Sequence, residues 1–417
     1  MTDLTELRAD GDRLLARIEA LGAIGAIVGA DGSRGSSRLA LTDEDREGRD
    51  LVVTWMRDLG LEVAIDEIGN VVGTRPGTDP TAAPVMTGSH IDTVRSGGRY
   101  DGNLGVLAGL EVVETLERHG VRTRHPIAVA FFTNEEGARF QPDMLGSLVY
   151  VGGYPLEDAL DVAAVDGPRL GTELARIGYA GGVPCPAARA PHAFVELHIE
   201  QGPVLEAAGI GIGAVTGVQG ISWQELTIAG QSNHAGTTPM AMRHDAGVVA
   251  AEIAVLARRL ATELGGHQVA TVGRLELHPN VVNVVPGQAT LTVDLRNTDD
   301  DVLREAERRL RRQAEEIAAA EGTAITSRVL ARFEPVEFDP LVVGLVEATA
   351  ARLGHSTLRL PAGAGHDAQM LARVCPSGMV FVPSAGGVSH NPAEHTDPAE
   401  LTAGADVLLQ VLLSLAG

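Results

Sequence analysis

Cysteine is scarce in this chain: Cys185 and Cys375 are the two present in 417 residues, and neither sits in a CxxC pair. That argues against a disulfide framework and a thiolate zinc site, and it fits a reducing compartment. Positive charge is outweighed, with 33 Lys and Arg against 55 Asp and Glu and a net charge of −22. Without a basic stripe to displace counterions from phosphates, nucleic acid and anionic membranes are not expected as partners. An uninterrupted apolar run of about 18 residues, enough to cross a bilayer, is missing as well. The opening residues, MTDLTELRADGDRLL, place acidic groups where a secretory signal has basic ones followed by an apolar stretch. A soluble, cytoplasmic protein is the expectation. Internal repeats and low-complexity tracts are also absent.

What is present is ordinary globular composition, 44% hydrophobic and 21% charged, in a chain long enough for two domains. Leu4, Leu7, Leu14, Leu15, Ile18 and Leu21 recur at near-helical spacing over 3–22, and Thr42-Asp43-Glu44-Asp45 resembles a capping box opening a helix to about Leu59. Strands are expected at 62–65, 71–74, 85–87 and 127–132, with a helix at 104–118, an alternation that suggests a layered α/β domain with a partly parallel sheet. From about Ala214 the order becomes strand 224–229, helix 242–264, strands 268–277 and 289–296, helix 300–320, strand 323–331. This β-α-β-β-α-β sequence is ferredoxin-like and reads as an insertion. The expected division is 1–213 and 332–417 for one α/β domain and 214–331 for the inserted α+β domain. The Gly/Pro-rich stretch 180–190 reads as a loop.

Five stretches far apart in sequence carry metal-ligand side chains: GSHIDTV (88–94), GGRYDG (97–102), TNEEGARF (133–140), ELHIEQGP (196–203) and SHNPAEHT (389–396). Four of them begin where an apolar run stops, and ligand sites in α/β sheets favour the carboxyl ends of strands. His90 and Asp92 stand two apart, so one can bind metal while the carboxylate orients the ring; taken alone, His90 is equally a turn histidine. Asp101, which follows a Gly-Gly turn and precedes Gly102, could be held between two cations but is alone a turn aspartate. Glu135 and Glu136 are adjacent carboxylates, and like charges side by side repel unless a cation or proton separates them. A two-metal hydrolase needs one to bind metal and the other to take a proton from water. Period-2 alternation puts Glu196, His198 and Glu200 on one strand face, opposite Val195, Leu197 and Ile199. His366, His390 and His395 are further candidates, some of them ordinary polar residues, and His366-Asp367 opens a short helix. In the insertion, His234 stands beside Gly236, where backbone can approach a ligand. Arg296 projects opposite the Leu291/Val293/Leu295 face, either solvated or as an anchor for a carboxylate.

Together these segments are far more specific than any one. Over essentially its full length the chain resembles the amidohydrolase branch of the M20 metallopeptidase family, which holds N-carbamoyl-L-amino acid hydrolases, β-ureidopropionases and allantoate amidohydrolases. GSHIDTV, DGNLG, TNEEGARF, ELHIEQGP, SNHAGTTPM, NVVNVVPG, DLRN, GAGHDA and SHNPAEHT carry the resemblance. It implies an α/β metallohydrolase domain interrupted by a ferredoxin-like dimerisation (lid) domain. It also implies two divalent ions per subunit bridged by Asp101, one held by His90 and His198 and the other by Glu136 and His390, with Glu135 as general base and Asp92 supporting His90. Ligands of these types suit Zn²⁺, Mn²⁺, Co²⁺ or Ni²⁺. His234 would reach the oxyanion from the neighbouring subunit of a homodimer, with Asn283 close by. Arg296 would hold the substrate carboxylate and Gln201 the carbamoyl end, and His366 is counted with the substrate-binding residues. A cis peptide at Asp101-Gly102 is implied as well, while His395 has no matching role.

True peptidases of the family usually carry a carboxylate where this chain has His198. Allantoate enzymes carry Arg in the segment that here reads Gly220-Ile221-Ser222-Trp223. The expected substrate is therefore a small ureido acid, an N-carbamoyl-L-amino acid or N-carbamoyl-β-alanine ahead of allantoate. A non-catalytic binding protein on the same fold is the opposing reading, and the presence of every ligand and of the base weighs against it.

Overall fold

The computed structural model describes residues 4–417. The chain divides into two compact units, one running to Gly217 and resuming from Glu337 to Gly417, the other spanning Val218–Val336.

In the first unit the sheet order is Ile212–Val218, Ser377–Val382, Ala193–Ile199, Val85–His90, Ile127–Phe132, Val71–Arg75, Glu62–Ile65, with short strands completing the Ile212–Val218 edge. The four strands from Ser377–Val382 to Ile127–Phe132 run parallel, the adjoining Ile212–Val218 and Val71–Arg75 are antiparallel to them, and Glu62–Ile65 pairs antiparallel with Val71–Arg75. A parallel sheet must be covered on both faces, and every residue of these four strands is buried. Alternation along Ala193–Ile199 shows what covers each face. Leu197 meets the helix Pro398–Ala416 at Gly404, where an added Cβ would lie 2.8 Å from Leu197 Cδ1. On the other face Glu196 accepts the Ala368 N–H at 2.9 Å from the short helix Asp367–Leu371. The polar face of this strand is thus enclosed by a loop and helix rather than solvated.

Pro398–Ala416 is long and apolar enough to cross a membrane, with mean hydropathy 1.4, but 56% of that window is buried within the protein. It packs on the sheet and on the helix Asn103–Arg118 as a core element. The helix expected over 3–22 starts later: Leu4–Glu6 is one 3-10 turn, and Asp10 caps Gly11–Gly22 by accepting the Arg13 N–H at 3.1 Å. Asp3 lies outside the described residues. Thr42 caps Asp43–Asp58 as expected, the 180–190 stretch is a loop, and both cysteines are buried and free.

In the second unit the strands are ordered Val269–His278, Gln288–Asn297, Gly220–Ala229, Ala324–Phe333, all antiparallel. Leu226, Ile228, Leu291, Val293 and Leu295 alternate onto one face and pack against Ile253, Leu256 and Leu260 of helix Ala246–Leu264 and Leu303 and Leu310 of helix Asp300–Ala320. This is the ferredoxin-like arrangement. The unit begins later than residue 214 because Ala214 and Val215 pair with Val380 and Met379 in the other sheet, and its last long strand continues to Phe333. Its first helix starts at Ala246 rather than 242, capped by Asp245, which accepts the N–H groups of Gly247 and Val248 at 2.9 and 3.2 Å.

Candidate metal centre

The loops at the carboxyl ends of the parallel strands gather the expected ligands. His90 is the last residue of its strand; its Nδ1 bonds the Asp92 carbonyl oxygen at 2.9 Å, leaving Nε2 3.6 Å from Asp101 Oδ1. His198 repeats the pattern, with Nδ1 on the Ile199 carbonyl at 2.8 Å and Nε2 3.1 Å from the same Oδ1. A proton committed to a carbonyl at Nδ1 leaves Nε2 as the lone-pair nitrogen, the tautomer a metal ligand needs. The Gly102 N–H points at His198 Nε2 at 3.1 Å, which agrees with that assignment. On the other oxygen of Asp101, His390 Nε2 lies 3.2 Å from Oδ2 and 3.3 Å from Glu136 Oε2.

One carboxylate therefore belongs to two triads, Asp101 with His90 and His198, and Asp101 with His390 and Glu136. Donors about 2.0–2.2 Å from a tetrahedrally coordinated ion are separated by roughly 3.3–3.6 Å. The four separations fall at or near that range, so the residues fit two adjacent cations. A third grouping, Glu196, His198 and His366, has no free donors in Glu196 or His198. Glu196 accepts from Ser89 Oγ at 2.6 Å and from Ala368 N–H, and both nitrogens of His198 are engaged.

Electrostatics agree with the geometry. Burial pushes Glu135 well above the usual carboxyl range, with repulsion from Asp367, Glu136 and Asp101 adding to it and His90 partly relieving it. Glu136 is pushed up to about 8, by burial first and Asp101 next. His390 rises to about 9, chiefly through its hydrogen bond to Asp101. For Asp101 burial works against ionisation, but the imidazoles of His198, His390 and His90 that face it hold it well below its ordinary value. Buried negative charge in excess of what the imidazoles balance is the environment divalent cations suit.

Two expectations change. The Asp92 carboxylate does not orient His90, since its Oδ1 is 3.9 Å from Nδ1 and the Asp92 carbonyl makes the bond. The carboxylate instead accepts the backbone N–H groups of Glu135 at 3.2 Å and Glu136 at 3.3 Å, fixing the carboxylate pair. Nor is the Asp101-Gly102 peptide cis: among the described residues the cis bonds are Gln141-Pro142, Cys185-Pro186 and His278-Pro279. The turn is made by Gly102 at φ 65°, ψ −48°, and a Cβ there would lie 2.4 Å from the His90 ring. Asn134, Gln201 and His390 also adopt positive φ, at 58°, 58° and 52°; backbone strain of this kind clusters at functional sites.

Glu135 Oε2 lies 3.4 Å from His90 Nε2, beside the first triad. Gln201 Nε2 donates to Asp101 Oδ2 at 2.9 Å, and its buried Oε1 has no partner. His366 stacks edge-on against His198 with ring centres 4.5 Å apart, its Nε2 buried and unpartnered. His395 is exposed, edge-on to Tyr100 and outside both triads. His234, Asn283 and Arg296 belong to the second unit. His234 Nδ1 accepts the N–H groups of Gly236 at 3.0 Å and Thr237 at 3.2 Å, which puts its proton on Nε2 as a donor. Ala235 donates to the Asn283 carbonyl at 2.9 Å, making His234 and Asn283 close neighbours. The Arg296 guanidinium lies against Asp294 at 2.9 Å. Glu394 and Ser389 escaped the sequence reading, although both lie within the quoted SHNPAEHT segment.

Residues 86–414 match peptidase family M20/M25/M40. The chain belongs to that family. It is 43% identical over 409 residues to an N-carbamoyl-L-amino-acid amidohydrolase of Rhizobium meliloti, covering 98% of this chain and 97% of that one. To an allantoate amidohydrolase of Bacillus subtilis it is 36% identical over 392 residues, covering 94% and 95%. A solved amidase of the hydantoinase/carbamoylase family from Burkholderia multivorans superposes with TM-score 0.95 at 46% identity, covering 98% of each chain. The M20 assignment makes this chain a hydrolase of C–N bonds with candidate metal-binding clusters.

Proposed function

We propose that the protein is a two-metal amidohydrolase that cleaves the ureido C–N bond of an N-carbamoyl-L-amino acid or N-carbamoyl-β-alanine, releasing ammonia, carbon dioxide and the amino acid. The carrying observation is the Asp101 carboxylate shared by two triads with Glu135 beside one of them. Two divalent ions held there by His90, His198, Asp101, Glu136 and His390 would acidify water and polarise the ureido carbonyl. Glu135 takes the proton of the attacking water and returns it to the leaving nitrogen. Gln201 Oε1, a buried acceptor without a partner, suits the N–H donors of a carbamoyl group better than a peptide carbonyl. The Nε2–H of His234 suits a developing oxyanion, and Arg296, released from Asp294, a carboxylate. By the family pattern His234 acts across a homodimer formed by the inserted unit, and Trp223 in place of Arg speaks for carbamoyl amino acids over allantoate. Two reduced cysteines support a cytoplasmic location.

Ammonia release from a panel of N-carbamoyl-L-amino acids, N-carbamoyl-β-alanine and allantoate, with Mn²⁺ or Zn²⁺ added, tests the reading. Turnover of a carbamoyl amino acid ahead of allantoate is expected. Preference for allantoate, or no turnover of any, would replace it.

A further inference from the structure

Glu394 lies in the SHNPAEHT segment with its side chain buried, 4% exposed. Its Oε1 accepts the backbone N–H groups of Tyr100 at 3.0 Å and Asp101 at 3.2 Å, and its Oε2 accepts Ser389 Oγ at 3.0 Å. Ser389 Oγ in turn accepts Gln201 Nε2 at 3.2 Å, and the same amide donates to Asp101 Oδ2. The circuit Glu394, Ser389, Gln201, Asp101 closes on itself and ties together three of the loops that carry the candidate ligands. Gly98 makes room for it, since a Cβ there would fall 1.9 Å from Glu394 Oε1. The hydrogen-bond partners of this carboxylate are neutral donors, and burial first, then the like charge of Asp101, push its pKa up to about 7. A Gln could accept the same two N–H groups at Oε1, but its amide nitrogen could not accept the Ser389 hydroxyl, so the circuit needs a carboxylate oxygen at that corner.

We propose that Glu394 is a positioning residue for the metal pair. It holds the backbone of Asp101 and, through Ser389, the turn that presents His390, so that the bridging carboxylate and the imidazole are fixed where cations would be held. The inference rests on the two-metal reading above. Outer partners of metal ligands typically contribute about 10–100-fold in metal affinity.

The test uses Co²⁺ as probe, titrated into chelator-stripped full-length protein against a competing chelator, with the visible spectrum recorded. Wild type, Glu394→Gln and Ser389→Ala are compared, together with the unfolding temperature of each metal-free protein. The expected result is two Co²⁺ per wild-type chain, about 10–100-fold weaker binding of at least one ion by Glu394→Gln with altered visible bands, and unchanged metal-free stability. Ser389→Ala keeps the two backbone bonds to Glu394 but opens the circuit, so it should alter the bands with a smaller loss of affinity. Wild-type affinity and spectrum in Glu394→Gln would overturn the inference, as would a loss of affinity that merely follows a loss of metal-free stability. Failure of wild type itself to bind Co²⁺ would instead overturn the two-metal reading on which the inference stands.

Discussion

Adjacent buried carboxylates repel each other, and Glu135 and Glu136 are held in place by their own backbone N–H groups, both of which donate to Asp92. From there the side chains diverge, Glu135 toward His90 and Glu136 toward His390. Glu135→Gln should therefore lower kcat by at least about 100-fold, the usual scale of a general base, while metal content measured by elemental analysis stays at the wild-type level. Glu136→Gln should lose metal. A second consequence follows from protonation. At pH 7 His390, raised to about 9, and Glu136, raised to about 8, hold protons in the metal-free protein and must release them to ligate. Calorimetric metal titrations in buffers of different ionisation enthalpy should show proton release at pH 7 that shrinks as pH rises above these values; binding without proton release would contradict the assignment. The candidate ligands were legible in the sequence as metal-ligand side-chain types in segments that follow apolar runs, and their division between two ions came from the family resemblance. Asp92 was legible only as a neighbour of His90, since a sequence does not say whether its carbonyl or its carboxylate meets the ring. Glu394 was not legible, because its partners Tyr100 and Asp101 lie 294 and 293 positions away.

At the scale of elements, Arg38 joins what the ligand loops stand on. It is fully buried and donates to the carbonyls of Ile91, Leu21 and Ile24 at 2.8, 3.0 and 2.9 Å and to Asn103 Oδ1 at 2.8 Å. It thereby links the end of helix Gly11–Gly22, the turn after His90 and the first residue of helix Asn103–Arg118. Burial lowers its pKa to about 10, still far above neutrality, so the charge persists. Arg38→Met would orphan three buried carbonyls, at a cost on the order of 3–5 kcal/mol, read as a lower denaturant midpoint. Periodicity located the main helices and strands up to Phe132 and those of the insertion, but it placed neither the helices between 145 and 177 nor Pro340–Arg352, Ser377–Val382 and Pro398–Ala416, and where it did place elements it missed the ends that side chains decide. Asp10 and Asp245 set helix starts that the apolar spacing extends past, and the Ala214 pairing with Val380 gives to the first sheet a stretch that sequence order assigned to the insertion.

At the scale of the whole molecule, the proposed reading would make each active site a joint product of two subunits. If His234 acts in trans, mixing His234→Ala and Glu135→Gln subunits, each nearly inactive alone, creates dimers with one doubly impaired site and one intact site. Activity should return toward half of wild type per mixed dimer, whereas no recovery despite demonstrated exchange would place His234 in cis or outside the mechanism. The order of the inserted fold was readable from strand and helix spacing, but how subunits meet leaves no comparable periodic mark. The central claim is that two cations held around Asp101 make this chain an amidohydrolase of ureido acids. The most direct measurement is ammonia release from an N-carbamoyl-L-amino acid by chelator-stripped protein as Mn²⁺ or Zn²⁺ is added stepwise. The account predicts negligible turnover without metal, rising to a plateau at two equivalents per chain and abolished again by chelation. Full turnover in protein shown by elemental analysis to be metal-free would contradict it.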